Sequence, residues 1–152
     1  MARQVFVTGG SGFVGRRLIG ELTSLGHPVR ALARTPGSAD AVRALGAEPV
    51  MGDLFDADAL ASGVNRSEWV FHCAAAVQQW SRDDSVHRTN VTGTENVIAA
   101  CEAANTPIRL IHVSTEAVLA GSPRPLVKVD ESWPLPATPS GLYPLTKGLA
   151  ER

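Results

Sequence analysis

Thr8-Gly9-Gly10-Ser11-Gly12-Phe13-Val14-Gly15 stands between a short β-branched run and a stretch of helical periodicity, and its reading decides the fold. Val5-Phe6-Val7 before it predicts a buried strand, since a short apolar run bounded by a turn suits a strand covered on both faces. After it, Val14, Leu18, Ile19, Leu22 and Leu25 recur at the spacing of one helical face, so the glycines fall at a strand-to-helix corner. Gly9 permits the tight turn, Gly12 lacks a Cβ that would hold a pyrophosphate off the backbone, and Gly15 lets the new helix lie close to the first strand. The helix N-terminus then offers N–H groups and a partial positive charge to phosphates. A glycine-rich loop alone is commonly only a turn; its place after a strand and before a helix favours the nucleotide reading.

A chain of 152 residues suffices for one domain with a real core, and 44% apolar with 19% charged residues is the composition of a soluble globular protein. Fourteen Lys and Arg against 15 Asp and Glu leave a formal charge of -1. With no basic run, nucleic acid and anionic membranes are not expected partners. Met1-Ala2-Arg3-Gln4 leads straight into a strand-length run, and no apolar stretch is long enough for a signal peptide or a bilayer span. The expected location is cytoplasmic. Cys73 and Cys101 read as reduced thiols, and no further Cys or His stands at ligand spacing, so no metal site is expected.

Downstream, Gly26 predicts a helix C-cap and Pro28 opens a second strand, Val29 to Ala33, ending at Arg34-Thr35-Pro36. At this distance from a dinucleotide motif an acidic residue takes a ribose 2′-hydroxyl, whereas an arginine suits a 2′-phosphate. Arg34 is either that ligand or a solvated surface arginine, and the missing acid favours NADP over NAD. Ser38 is the expected cap of a brief helix carrying Val42 and Leu45 and closed by Gly46. A third strand, Glu48 to Met51, then ends in Gly52-Asp53-Leu54. Asp53 is either an acceptor for an adenine amino group or a turn-capping carboxylate.

Leu60 and Val64 mark a short helix, and Trp69 to Ala76 reads as a buried strand running into small residues that permit close cofactor approach. His72 inside it reads as packed or hydrogen-bonded rather than catalytic. A long helix from about Asp83 to Ala104 is signalled by Val86, Asn90, Val91, Thr94, Val97, Ile98 and Cys101, with Asn90 a polar residue on the inward stripe. A fifth strand over Ile108 to Val113 leads into Ser114-Thr115, and a loop rich in proline, Pro123 among them, runs from Gly121 to Gly141. With no internal repeat and no linker, the βα alternation implies a doubly wound parallel sheet with helices on both faces.

Tyr143-Pro144-Leu145-Thr146-Lys147 puts the chain's only tyrosine four residues before a lysine, on one face if the segment is helical. The ammonium would favour phenolate, letting Tyr143 act as a base and, in reverse, as an acid, while Thr115 supplies a hydroxyl at the carbonyl. By itself this is an ordinary surface pair; the strand-end Ser-Thr upstream gives it meaning. Pro144 fits only in a first turn, for instance with Ser140 as N-cap.

With these segments in place the chain resembles the extended short-chain dehydrogenase/reductases, the group of sugar-nucleotide epimerases and dehydratases, hydroxysteroid dehydrogenases and dihydroflavonol-type reductases. The likeness is carried by Thr8 to Gly15, Gly52-Asp53-Leu54, His72-Cys73-Ala74-Ala75, Asn90-Val91-Thr92-Gly93-Thr94, His112-Val113-Ser114-Thr115, Asp130-Glu131-Ser132 and Tyr143 through Lys147. By that resemblance Thr115, Tyr143 and Lys147 are the catalytic hydroxyl, acid/base and lysine, with Tyr143 and Lys147 also at the nicotinamide end of the cofactor. Gly9, Gly12, Phe13, Val14 and Gly15 would form the phosphate turn, Asp53 and Leu54 would hold adenine, Ala74 and Ala75 would border the cofactor, and Arg34 would match the 2′-phosphate arginine of the dihydroflavonol-type reductases. The implied activity is hydride transfer between NADP(H), or alternatively NAD(H), and a carbinol or ketone carbon of a small molecule. The second expectation is a sugar-nucleotide epimerase or dehydratase. The third is a non-catalytic NAD(P)-sensing module, which would leave Tyr143, Lys147 and Thr115 without purpose. Family members are longer and often pair through the helices carrying Asn90 and Tyr143. The expectation is therefore an NAD(P)-binding Rossmann domain over 1–152, its sheet incomplete at the C-terminus, its substrate domain absent from this chain, and a homodimer as its assembly.

Overall fold

The computed structural model describes residues 2–77, 84–122, 125, 127–137 and 139–152; Met1, Asp83 and Pro123 of the sequence reading lie outside the described residues. In chain order the helices are α1 (Phe13–Ser24), α2 (Pro36–Arg43), α3 (Ala57–Val64), α4 (Ser85–His87), α5 (Gly93–Glu102) and α6 (Leu142–Ala150). The strands are β1 (Val5–Thr8), β2 (Val29–Ala33), β3 (Glu48–Met51), β4 (Trp69–His72) and β5 (Arg109–His112). The chain forms two compact units, one of Met1–Ala75 with Gly93–Val113 and one of Ala76–Thr92 with Ser114–Arg152.

The first unit holds a parallel sheet in the order β3-β2-β1-β4-β5. The order reverses at β1, the switch point at whose strand C-termini open α/β sheets bind ligands. Val5, Phe6 and Val7 of β1 are wholly buried because alternate side chains enter separate layers. Val5 and Val7 pack with Ile19, Leu22, Ala31 and Val42, whereas Phe6 packs with Leu32, Leu60, Val64, Val70 and Val97. Helices α1 and α2 thus cover one face, and α3 and α5 the other, as the βα alternation requires.

Local chemistry sets the element ends. Gly26, at φ +80°, ends α1 from just beyond the cap: its N–H donates to Thr23 O at 3.0 Å and the His27 N–H to Leu22 O at 3.0 Å. Val14 and Leu25, expected on the buried stripe, are 49% and 72% exposed, so the inward stripe of α1 is narrower than its periodicity. The second helix starts earlier than a Ser38 cap implies. Thr35 is the N-cap, its Oγ1 accepting the Ser38 N–H at 3.2 Å while Ser38 Oγ accepts the Thr35 N–H at 2.9 Å, and Pro36 occupies the first turn. Strand β4 stops at His72, short of the alanines, and β5 is a residue shorter at each end than its apolar run. Cys101 is a part-buried thiol, and burial, helped by Glu102, pushes its pKa up to about 11.

The second unit holds α4, a π-helical segment Arg88–Thr92, a 3-10 turn Glu116–Leu119, and α6, which packs against the other three. The long helix expected from about Asp83 is therefore a succession of α4, π-helical segment and α5, with buried Asn90 inside the π segment. No described helix is long and apolar enough to cross a membrane.

Candidate functional site

In the first unit the site is made of backbone. Gly9 takes φ +70°, and a Cβ on it would lie 2.6 Å from Ala74 N and 2.7 Å from the Cys73 carbonyl carbon, so the chain can leave β1 past β4 only as glycine. The Gly12 N–H donates to Gly9 O at 3.0 Å and closes the turn. Gly12 is the N-cap of α1 in extended conformation, and a Cβ there would meet nothing within 4 Å but Gly9 O. A Cβ on Gly15 would overlap Gly9 O and lie 2.8 Å from Gly10 Cα. What Gly15 permits is thus the folding of α1 onto the turn itself rather than onto β1. Gly10 was given no role by its sequence position. A Cβ there would meet Ile19 Cδ1 at 2.8 Å and Ala31 and Val42 at 3.2 Å, neighbours from segments that only the fold brings together.

Helix α1 has no side-chain cap and no acidic residue in its first turn. Among the described residues no acceptor takes the N–H groups from Phe13 to Gly15, which leaves them to an external one. A glycine cradle ending in a bare, acid-free helix N-terminus fits a pyrophosphate. Phe13 beside it is 96% exposed.

Arg34 follows β2 immediately, is exposed, and has no ion pair among the described residues. Asp53 Oδ1 accepts the Phe55 N–H at 2.7 Å, which realises the turn-capping reading of that carboxylate. Leu54 is buried, its carbonyl accepting from Asn96 Nδ2 at 2.8 Å. The Ala74 N–H donates to Thr8 Oγ1 at 3.4 Å, and Ala75 is exposed. His72 is hydrogen-bonded within the core, to Thr8 and to Thr94, as expected of a packed or hydrogen-bonded histidine.

In the second unit the site is made of side chains. Lys147 is only 2% exposed, one helical turn after half-buried Tyr143 on α6. The N-cap of α6 is Gly141, at φ +105°, not Ser140, whose N–H is taken by Ala120 O at 2.9 Å. Pro144 therefore lies in the first turn, where its missing N–H costs no helical bond. Thr115 caps the 3-10 turn, its Oγ1 accepting the Ala117 N–H at 3.2 Å, and that turn packs against α6. Ser114 Oγ donates to Glu151 at the end of α6. Asp130 Oδ1 accepts from Ser132 Oγ at 2.6 Å and from its N–H at 3.0 Å, and these bonds hold the exposed carboxyl below the usual range.

Asn90 and Thr146 are the residues sequence reasoning left without a role. Asn90 Oδ1 accepts the Ala76 N–H at 2.7 Å, and its Nδ2 donates to Ala76 O at 2.9 Å and to Thr146 Oγ1 at 3.0 Å. Thr146 Oγ1 in turn donates to Tyr143 O at 3.1 Å. The available signal was a polar residue on an apolar stripe; its partners were not readable.

The profile of the 3-beta hydroxysteroid dehydrogenase/isomerase family matches residues 6–152. A 4-hydroxy-2-methyl-3-oxo-4-farnesyl-3,4-dihydroquinoline-1-oxide ketoreductase of Stigmatella aurantiaca is 48% identical over 149 residues, 98% of this chain and 44% of the relative. Among solved structures, a short-chain dehydrogenase/reductase superfamily protein of Agrobacterium tumefaciens with bound NAD is similar at TM-score 0.78 and 31% identity, over 97% of this chain and 43% of that one. MoeE5 in complex with UDP-glucuronic acid and NAD is similar at TM-score 0.77 and 30% identity, over 97% of this chain and 47% of that one. The chain spans less than half the length of the curated relatives it matches.

Proposed function

The chain belongs to the 3-beta hydroxysteroid dehydrogenase/isomerase family, and from that premise we propose that it serves an NAD(P)-dependent oxidoreductase acting on a carbinol or ketone carbon, with Tyr143 as acid/base. The observation that carries this reading is Lys147. A buried ammonium is held in place by its partners rather than left to wander in solvent, and this one stands on the helical face of the chain's only tyrosine. From that face Tyr143 can take the proton of an alcohol, or return it to a developing alkoxide. The Thr115 hydroxyl, which donates to Glu116 Oε2 at 3.3 Å, turns to donate to the same oxygen.

The bound dinucleotide supplies or accepts the hydride. The turn of Gly9, Gly12, Phe13, Val14 and Gly15 holds its pyrophosphate at the start of α1, Asp53, through the carboxylate oxygen other than the Oδ1 that caps its turn, holds adenine with Leu54, and Ala74 and Ala75 leave room beside it. Arg34, exposed and without an ion pair among the described residues, is placed to take a 2′-phosphate, which makes NADP the preferred cofactor. A sugar-nucleotide epimerase or dehydratase is the second reading, favoured by the likeness to MoeE5.

The test is NADPH consumption by the full-length protein against a panel of ketones and a panel of sugar nucleotides. Net consumption with a ketone is the expected result. Conversion of a sugar nucleotide without net consumption would replace it with the second reading. Tight NADPH binding with no turnover on either panel would leave a cofactor-sensing module.

A further inference from the structure

His72 ends β4 with its ring 1% exposed and a hydroxyl at each nitrogen. Nδ1 lies 2.6 Å from Thr8 Oγ1 and Nε2 lies 3.0 Å from Thr94 Oγ1, and both threonines are buried. A row of polar groups inside an apolar layer gains little over packed hydrocarbon and is costly wherever a bond is missed. Its position gives it a purpose beyond stability. Thr8 is the last residue of β1, directly before Gly9, and it is tied to the chain leaving β4: its carbonyl accepts the Cys73 N–H at 3.2 Å and its Oγ1 the Ala74 N–H at 3.4 Å. That is where Gly9 passes Ala74 too closely for any Cβ. A β-branched residue is stiff at χ1, so a bond to Thr8 Oγ1 restrains the backbone entering the turn. The second hydroxyl belongs to α5, whose Asn96 holds the Leu54 carbonyl at 2.8 Å. The His112 ring, opposite His72 in the strand register, covers the imidazole at 5.3 Å between centroids.

We propose that His72 is the positioning residue of the glycine turn: through Thr8 it holds the turn in its binding shape and thereby sets the affinity for the dinucleotide. The proposal rests on reading that turn as the pyrophosphate site. His72 itself touches no cofactor; it acts through Thr8 Oγ1, with α5 as the fixed support.

Side-chain geometry separates its two contacts. An Asn amide reaches the place of Nδ1, and a Gln amide the place of Nε2, so His72→Asn keeps the contact to Thr8 and His72→Gln keeps only the one to Thr94. Two quantities are read: amide hydrogen exchange at Gly12, whose N–H closes the turn, in ligand-free protein, and the NADPH dissociation constant by fluorescence titration. His72→Gln is expected to speed Gly12 exchange and raise the constant about tenfold, the scale of one lost hydrogen bond, with His72→Asn within about threefold of the parent on both. Thr8→Val removes the hydroxyl at nearly constant shape and should reproduce His72→Gln; it reads the same contact if the histidine variants do not fold. Lowered melting temperatures with parental Gly12 exchange and parental NADPH affinity in His72→Gln and Thr8→Val would overturn the proposal, leaving His72 as core packing alone. Faster Gly12 exchange in a protein whose parent binds no dinucleotide would keep the clamp and overturn the cofactor reading.

Discussion

Set beside the glycine turn of the first unit, the tyrosine helix of the second is built from the opposite material. The turn presents N–H groups and open space, and what matters at Gly9, Gly12 and Gly15 is the side chain each lacks. The helix presents a phenol and an ammonium, and what matters is how Asn90, Thr146 and the packed 3-10 turn brace them. A backbone site tolerates loss of side chains and fails when atoms are added. A side-chain site fails when single atoms are removed, and its cost appears in turnover before it appears in binding.

The sharpest break between the two is Tyr143→Phe. Removing one oxygen leaves the ring to pack and the glycine turn untouched, so NADPH affinity should hold while turnover on the best substrate falls by about two to four orders of magnitude. Steady-state kinetics beside a binding titration read both numbers. Unchanged turnover would end the acid/base assignment, and a parallel loss of binding would end the division of labour.

Gly15→Ala tests the other half by addition. The new methyl would overlap Gly9 O, a backbone atom that cannot rotate away. Thermal unfolding should show a loss of about 1–3 kcal/mol, with dinucleotide binding weakened alongside. Parental stability and affinity together would mean that the turn is looser than its contacts. Arg34→Ala asks which dinucleotide the turn serves: calorimetry should find NADPH weakened by about 1–3 kcal/mol and NADH almost unchanged. Equal losses for both would remove Arg34 from the 2′-phosphate site.

The same contrast explains how much of the molecule could be read in its sequence. The strands β1, β2 and β3, the two-faced helical cover and the place of the glycine turn follow from periodicity and glycine spacing, which are local properties. Helix starts were harder, because Thr35 rather than Ser38 caps α2 and Gly141 rather than Ser140 caps α6. In each case two residues of similar propensity compete, and the flanking backbone decides. Asn90 lay furthest from view: its partners, Ala76 and Thr146, are 14 and 56 residues away. A side-chain network of that reach leaves only a polar residue on an apolar stripe as its trace. Gly10 is the same lesson inside the turn, its neighbours arriving from α1, β2 and α2.

The smallest expected effect is the control that makes Gly15→Ala interpretable. Gly20 lies in the middle of the same helix, and a Cβ there would meet nothing within 4 Å. Helix propensity therefore acts alone: Ala loses less backbone entropy on folding than Gly, and Gly20→Ala should stabilise the protein by about 0.5–1 kcal/mol. A rise in melting temperature with parental NADPH affinity is the expected pair of readings. If Gly20→Ala weakened binding as Gly15→Ala should, the sensitivity would belong to α1 as a whole. The turn would then no longer be a site defined by the space beside three particular glycines.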